Sequence, residues 1–275
     1  MNLDFSRLDA LNIQPPTPEE IAESDRKACQ LAEQNPTCFT HWHPQVVALG
    51  IPTPASRVIP FGLSLSKAIV DNAAFTESEL TEFNNCIEQI SDFSQQHGYP
   101  LFLKNSLYSG KHSWTATCEI ASEETDIALH LGNITYEWLM RSPEVSLYFV
   151  VREMLDTTAV FHAFDGLPIT EEFRFFSEDG RAIGHQPYWP EKAIISPTVD
   201  DWQVRLKSIS TLSLGDHQQL SEWADQITNA LTGAWSVDFL RDSAGNWWLI
   251  DMAEANKSFR CQDGFIKATS TADNA

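Results

Sequence analysis

The sequence predicts an α+β protein. Two kinds of signal carry that expectation. Short apolar runs pair across turn-prone segments, as at residues 234–240 and 247–252, and read as hairpins. Between such pairs, apolar residues three and four apart follow helix-starting caps, as after Thr76-x-x-Glu79.

The elements follow in order. Residues 1–60 carry Pro15, Pro16, Pro18, Pro36, Pro44, Pro52, Pro54 and Pro60. Proline fixes φ and lacks an N–H, so only residues 22–34 read as a helix here. His41-Trp42-His43 has ligand-type side chains but no third ligand nearby, so a surface or packing role is expected. Residues 44–50 lead into an extended Ile51-Pro52-Thr53-Pro54, and 58–61 form a short strand. Gly62-Leu63-Ser64-Leu65-Ser66 lacks the second glycine of a nucleophile elbow and no helix start is expected after it. Thr76 and Glu79 form a capping box; Leu80, Phe83, Ile87 and Ile90 then mark a helix stopped by Gly98 and Pro100.

Residues 100–104 form a strand that ends in Lys104, with 114–120 as its hairpin partner. Between them, Ser106, Ser109, Gly110 and Lys111 either cover phosphates with backbone N–H groups or make a solvated hairpin tip. The glycine and GK[ST] order of a P-loop are absent. Residues 122–140 are a helix with Ile127, Leu131, Ile134 and Trp138 on one face. Residues 146–151 are an apolar strand opening into Arg152-Glu153-Met154-Leu155-Asp156, a linker suited to hydrogen-bonding a flat ring through its backbone.

Along residues 168–176, alternation puts Glu172 and Arg174 on one face and Phe173 and Phe175 on the other. Arg174 in so apolar a strand needs a partner, either Glu172 or a bound phosphate. A turn at 177–180 leads to a partner strand at 181–189. Helices follow at 200–208 and 216–232, the second capped by Asp216-x-x-Gln219 and stopped by Gly233. Residues 268–275 read as a frayed tail.

The last hairpin carries one acid in each apolar run, Asp238 and Asp251. If residues 243–246 are the loop, Asp242 pairs with Trp247 and Asp238 lies opposite Asp251 on one face. Like charges directly opposite repel, and a divalent cation with oxygen ligands would compensate. A slip of one residue would point the two acids apart.

Composition narrows the function. A chain of 275 residues, 43% hydrophobic and 20% charged, suits one large globular domain or two intimate ones. No apolar run is long enough to cross a bilayer, and the amino end lacks the pattern of a signal peptide. The five cysteines form no CxxC pair, which suits reduced thiols in the cytoplasm. The net charge of −20 argues against nucleic acid and anionic membrane surfaces as partners. Only 18 residues are basic, yet Lys104, Lys111, Arg152 and Arg174 all fall on the segments singled out above.

Taken in order, these segments resemble the ATP-grasp family over roughly residues 95–260. Lys104 and the later Ser109-Gly110-Lys111 look like its first nucleotide-binding strand and loop. Val150-Val151-Arg152-Glu153 is similar to the adenine hinge, and Glu172-Phe173-Arg174 to the central strand. The acidic hairpin resembles the closing magnesium-binding hairpin. The Phe-Arg-Phe-Phe run, followed by Pro187-Tyr188-Trp189, is nearest to a divergent subgroup that includes an assembly chaperone for a translation initiation factor.

The resemblance implies two α+β subdomains clasping a nucleotide, residues 76–145 and 146–267, after an N-terminal pre-grasp region at 1–75 and before a tail at 268–275. It implies ATP and Mg2+ as cofactors. Lys104 would contact the α and β phosphates, with Arg152 nearby, and Lys111 or its loop amides would cover them. Glu153, Met154 and Leu155 would hold adenine, and Asp156 the ribose. Arg174, acting with Lys111, would face the γ-phosphate or an acyl phosphate. Asp238 and Asp251 would hold magnesium. The family places an asparagine two residues after the second acid, where this chain has Ala253, so Glu254 or Asn256 would have to substitute. The implied activity is ligation of a carboxylate, from a small molecule, peptide or protein, to an amine through an acyl phosphate. The alternative is a nucleotide-binding assembly factor that clamps a protein partner.

Overall fold

The computed structural model describes residues 16–142, 144–261 and 264–268. The tail expected at 268–275, apart from its first residue, and residues 1–15 of the pre-grasp region lie outside them. Helix α1 (Pro18–Gln34) opens on a capping box of Thr17 and Glu20, with Pro18 at its first position. A missing N–H is harmless there. Helix α2 (Phe39–Ala48) contains Pro44 rather than ending at it. Trp42 of α2 is buried and His43 stacks on Phe39, so His41-Trp42-His43 is a packing element, as expected.

Four strands make the first sheet: β1 (Ser56–Pro60), β2 (Leu101–Asn105), β3 (Glu119–Ile120) and β4 (Tyr148–Glu153), in the order β1-β4-β2-β3. All its pairings are antiparallel. Helices α3 (Leu63–Val70), α4 (Glu77–His97) and α6 (Ile127–Arg141) accompany it. Strand alternation decides what each face holds. Leu101 and Leu103 of β2, with Phe149 and Val151 of β4, enter a core with Leu65, Ile90 and Ile134. Phe102, Lys104 and Arg152 are left for the opposite face.

Two expectations change here. Residues 62–66 open α3, so a helix does follow them. Residues 114–120 are not one strand: α5 (Trp114–Thr117) precedes the two-residue β3. Gly110 adopts a left-handed φ of 63°. The chain then folds back on itself, the Thr117 hydroxyl donating to the Gly110 carbonyl at 2.9 Å and the Cys118 thiol to the Ser109 carbonyl at 2.6 Å. The supposed hairpin tip is thus a folded, partly buried loop. Shorter adjustments follow the caps. Asp126 caps α6 at Ile127, and Ser213, not Asp216, caps the helix that follows it.

The second sheet has β7 (Glu172–Glu178), β8 (Arg181–Pro187), β9 (Trp235–Arg241), β10 (Trp247–Glu254) and β11 (Ile266–Lys267), in the order β10-β9-β7-β8-β11. One face packs on α2 and on α8 (Leu214–Ala230), burying Phe173, Phe175, Val237 and Phe239 with Leu220 and Ile227. A third cluster joins β5 (Phe161–Ala163), β6 (Leu167–Ile169) and α7 (Trp202–Ser208) to Phe102, Trp114 and Trp189. Among the described residues, no helix is long and apolar enough to cross a membrane.

The acidic hairpin keeps its expected facing pair for an unexpected reason. Trp247 pairs with Arg241, not Asp242, which by simple alternation would set Asp251 opposite Val237 and the core. A bulge between Leu249 and Asp251 adds one residue and restores Asp251 opposite Asp238.

Candidate functional site

The faces left uncovered by the two sheets meet around one cavity of about 660 Å³, counting space open to solvent. Its wall takes Phe102 and Lys104 from β2, Arg152 and Glu153 from β4, Glu172 from β7, Leu240 from β9, and Ile250 and Asp251 from β10. The β5–β6 hairpin, the folded loop and the segment after β8 close it with Leu167, Lys111, Trp114 and Trp189.

Charge is arranged in pairs across the cleft. Lys104 Nζ donates to Asp251 at 2.8 Å, linking the two sheets. Lys111 Nζ donates to Glu172 at 2.9 Å. Arg174 grips Asp238 with two hydrogen bonds, 2.7 and 2.8 Å long. The partner of Arg174 is therefore Asp238, directly across the ladder, and Glu172 serves Lys111 instead. The ring of Tyr188 lies 4.4 Å from Lys111 Nζ and 4.7 Å from the Arg174 guanidinium, so both cations lie against one aromatic ring.

Burial sets the titration of these groups. It pulls the Lys104 ammonium below the usual lysine range, with Asp251 opposing. It acts to raise Asp251, but the Lys104 charge outweighs it and holds that carboxyl low. Glu172 is pushed up by burial against the pull of Lys111. For Lys111 burial is outweighed by the Glu172 carboxylate, and the ammonium is held above its ordinary value. Burial brings Arg152 down to about 10.

Arg152 donates through Nη1 to the Ile250 carbonyl at 2.6 Å, while its buried Nε has no hydrogen-bond partner among the described residues. An unpaired buried donor is costly. The linker after β4 also offers free groups. The Glu153 carboxylate is turned away, accepting from the Ala55 N–H at 2.7 Å. The N–H groups of Met154 and Leu155 find no acceptor among the described residues.

The structure thus gathers Lys104, Lys111, Arg152, Glu153, Met154, Leu155 and Asp251 on one cavity, with Arg174 and Asp238 beside it. Two expected residues stand apart. Asp156 is exposed and holds the Ser243 hydroxyl at 2.6 Å, while Thr157, next to it, lines the cavity. Glu254 shares the alternation of Met252, on the face turned from Asp251, and its carboxylate meets Lys257 at 3.2 Å. No group of three or more His, Cys, Asp or Glu among the described residues is placed to hold a metal ion. Phe102, Trp114, Leu167, Thr170 and Trp189 were not anticipated as lining residues. Only Trp189 had a signal, in the Pro187-Tyr188-Trp189 run.

Two antiparallel sheets facing across a cation-lined cavity, each backed by helices, give the chain the α+β architecture of the ATP-grasp fold. Its backbone is similar to that of Cdc123 from Schizosaccharomyces pombe, with a TM-score of 0.51 and 14% identity over 80% of this chain and 83% of that one. A C-terminally truncated form of Cdc123 from the same organism gives 0.50 and 14% over 79% and 83%. A RimK domain protein ATP-grasp from Sphaerobacter thermophilus is similar at 0.42 and 14%, over 85% of this chain and 63% of that one. At 14% identity the likeness to Cdc123 bears on the fold alone. No protein-family model matches the chain, and no curated protein matches its sequence.

Proposed function

We propose that this protein binds ATP with magnesium between residues 76–145 and 146–267 and uses it to join a carboxylate to an amine. The observation that carries the reading is the unspent binding capacity of the cavity: Arg152 Nε and the N–H groups of Met154 and Leu155, beside four basic side chains in a chain of charge −20. The free linker donors and the apolar walls of Phe102, Leu167 and Ile250 suit the edge and faces of a purine. Lys104, Lys111 and Arg174 suit phosphate oxygens, which would replace Glu172, Asp238 and Asp251 as their partners.

The carboxylates so released fit a hard cation. Asp238 and Asp251 would hold magnesium jointly with phosphate oxygens, since that ion favours octahedral oxygen sites shared with substrate. When bound, it would neutralise charge on the transferring phosphoryl group. The protein's own share is positioning. Arg174 steadies the γ-phosphate as an acceptor carboxylate oxygen attacks phosphorus and ADP leaves. An amine then attacks the acyl carbon and inorganic phosphate leaves, with one proton lost from nitrogen. Unpaired cysteines suit a reducing compartment such as the cytoplasm.

A second reading, a nucleotide-binding assembly factor that clamps a protein, is favoured by Ala253 and by Glu254 facing away. Two metal ligands instead of three suit binding without turnover. Incubation with ATP, magnesium and pools of amino acids or peptides separates the two. ADP and phosphate released in equal amounts only with an acceptor support the ligase. Tight nucleotide binding without turnover, with a stably co-purifying protein, supports the assembly factor.

A further inference from the structure

Trp189 lines a second depression as well as the cavity. This groove, about 2460 Å³ counting space open to solvent, runs past Gln186, Lys192, Lys207, Phe259 and Arg260. Its charge is opposite to that of the molecule. Among the described residues that line it, Lys192, Lys207 and Arg260 face a single acid, Glu191, in a chain of net charge −20. Lys192 and Lys207 are exposed and form no ion pair among the described residues. Arg260 lies against the rings of Phe176 and Phe265, 4.5 Å from each centroid. The groove is also apolar: Phe259 is 61% and Val204 72% exposed.

The wall between the two spaces carries an unmet donor. Trp189 is only 6% exposed, and its indole N–H has no partner among the described residues. Tryptophan normally pairs this N–H when buried. A buried N–H without a partner, on the wall that the basic groove shares with the candidate nucleotide cavity, is suited to a carboxylate.

We propose that this groove is the acceptor site and takes an acidic peptide segment bearing apolar side chains, with one carboxylate accepting from Trp189 Nε1. The proposal deepens the ligase reading and rests on it for the fate of that carboxylate, but binding in the groove does not itself need nucleotide. A long polyanion such as nucleic acid is disfavoured by the chain's net charge of −20.

The test is fluorescence anisotropy of a labelled peptide alternating glutamate and leucine, at low ionic strength, with its glutamine–leucine counterpart as control. The full chain should bind the glutamate peptide at least about tenfold more tightly. The double reversal Lys192→Glu, Lys207→Glu should remove that preference, as should high salt. Trp189→Phe, which keeps a ring but no N–H, should weaken binding of the glutamate peptide and leave the glutamine control unchanged. Equal binding of the two peptides, or a preference unaltered by the double reversal, would overturn the proposal. The ATP-induced rise in Tm, measured on the same proteins, should survive the double reversal. If the unaltered protein shows no such rise but keeps its glutamate preference, the nucleotide reading fails and the groove stands.

Discussion

Lys104 and Arg174 sit in surroundings that penalise charge. A buried cation is tolerated only with a close, hydrogen-bonded partner, and removing that partner costs more than the pair contributes. Each cation here has such a partner in a carboxylate that a metal would also seek. Asp238→Ala should therefore destabilise the protein by about 3–5 kcal/mol, because it strands the Arg174 guanidinium. Urea unfolding measures this, and a loss below about 1 kcal/mol would mean that water already reaches the pair. Lys104→Ala should be milder, since Asp251 keeps partial exposure and can be solvated. Side-chain identity was legible at this scale and pairing was not. A basic residue in an apolar strand announces the need for a partner. The sequence offered Glu172 to Arg174 because it was adjacent, whereas strand order makes Asp238 the closer neighbour.

Elements place these residues through their irregularities. The bulge in β10 keeps Asp251 on the cleft face, and nothing in the run Trp247–Glu254 announces an extra residue. The loop after β2 depends on Gly110. A Cβ there would lie 2.7 Å from Ile134 Cδ1 and 2.8 Å from Thr117 Oγ1, at a φ that disfavours side chains. Gly110→Ala should cost about 1–3 kcal/mol and displace Lys111, reducing stabilisation by nucleotide. An unchanged melting curve with and without ATP would show that the loop tolerates the shift.

The fold also shields two imidazoles, His43 on α2 and His185 on β8. Burial lowers His43 to about 4 and His185 to about 4, against 6.5 when unfolded. The unfolded chain then binds protons first. Stability is complete above about pH 6.5 and declines as pH falls toward 4. Melting temperatures across that window should show the decline, and His185→Gln should make it shallower. An identical slope in the variant would mean that other groups govern it. The Thr76–Glu79 cap, the alternation of Glu172 and Arg174 and the apolar strand before Arg152 were readable from residue order. The cavity's apolar walls were not, because Phe102, Trp114, Leu167 and Trp189 converge from separate elements and look like ordinary core residues one by one.

Over the whole molecule, a net charge of −20 coexists with a cavity lined by three basic residues, with Arg174 beside it. Folding concentrates scarce positive charge where the two sheets meet, which favours an anionic ligand and disfavours polyanions elsewhere on the surface. The order of segments was enough to anticipate the fold that Cdc123 shares, although no single segment was. The basic groove beyond Trp189 was not anticipated, since its lining comes from loops without periodicity. The most direct measurement is thermal unfolding with saturating ATP and magnesium. At about 100 times Kd, ligand stabilises the folded state by about 2.7 kcal/mol, which corresponds to a rise of roughly 5–10 °C in a chain of this size. Unaltered protein should show that rise, and it should disappear in Lys104→Ala and shrink on chelation of magnesium. No rise in the unaltered protein, or an equal one in Lys104→Ala, would contradict a nucleotide site between these sheets.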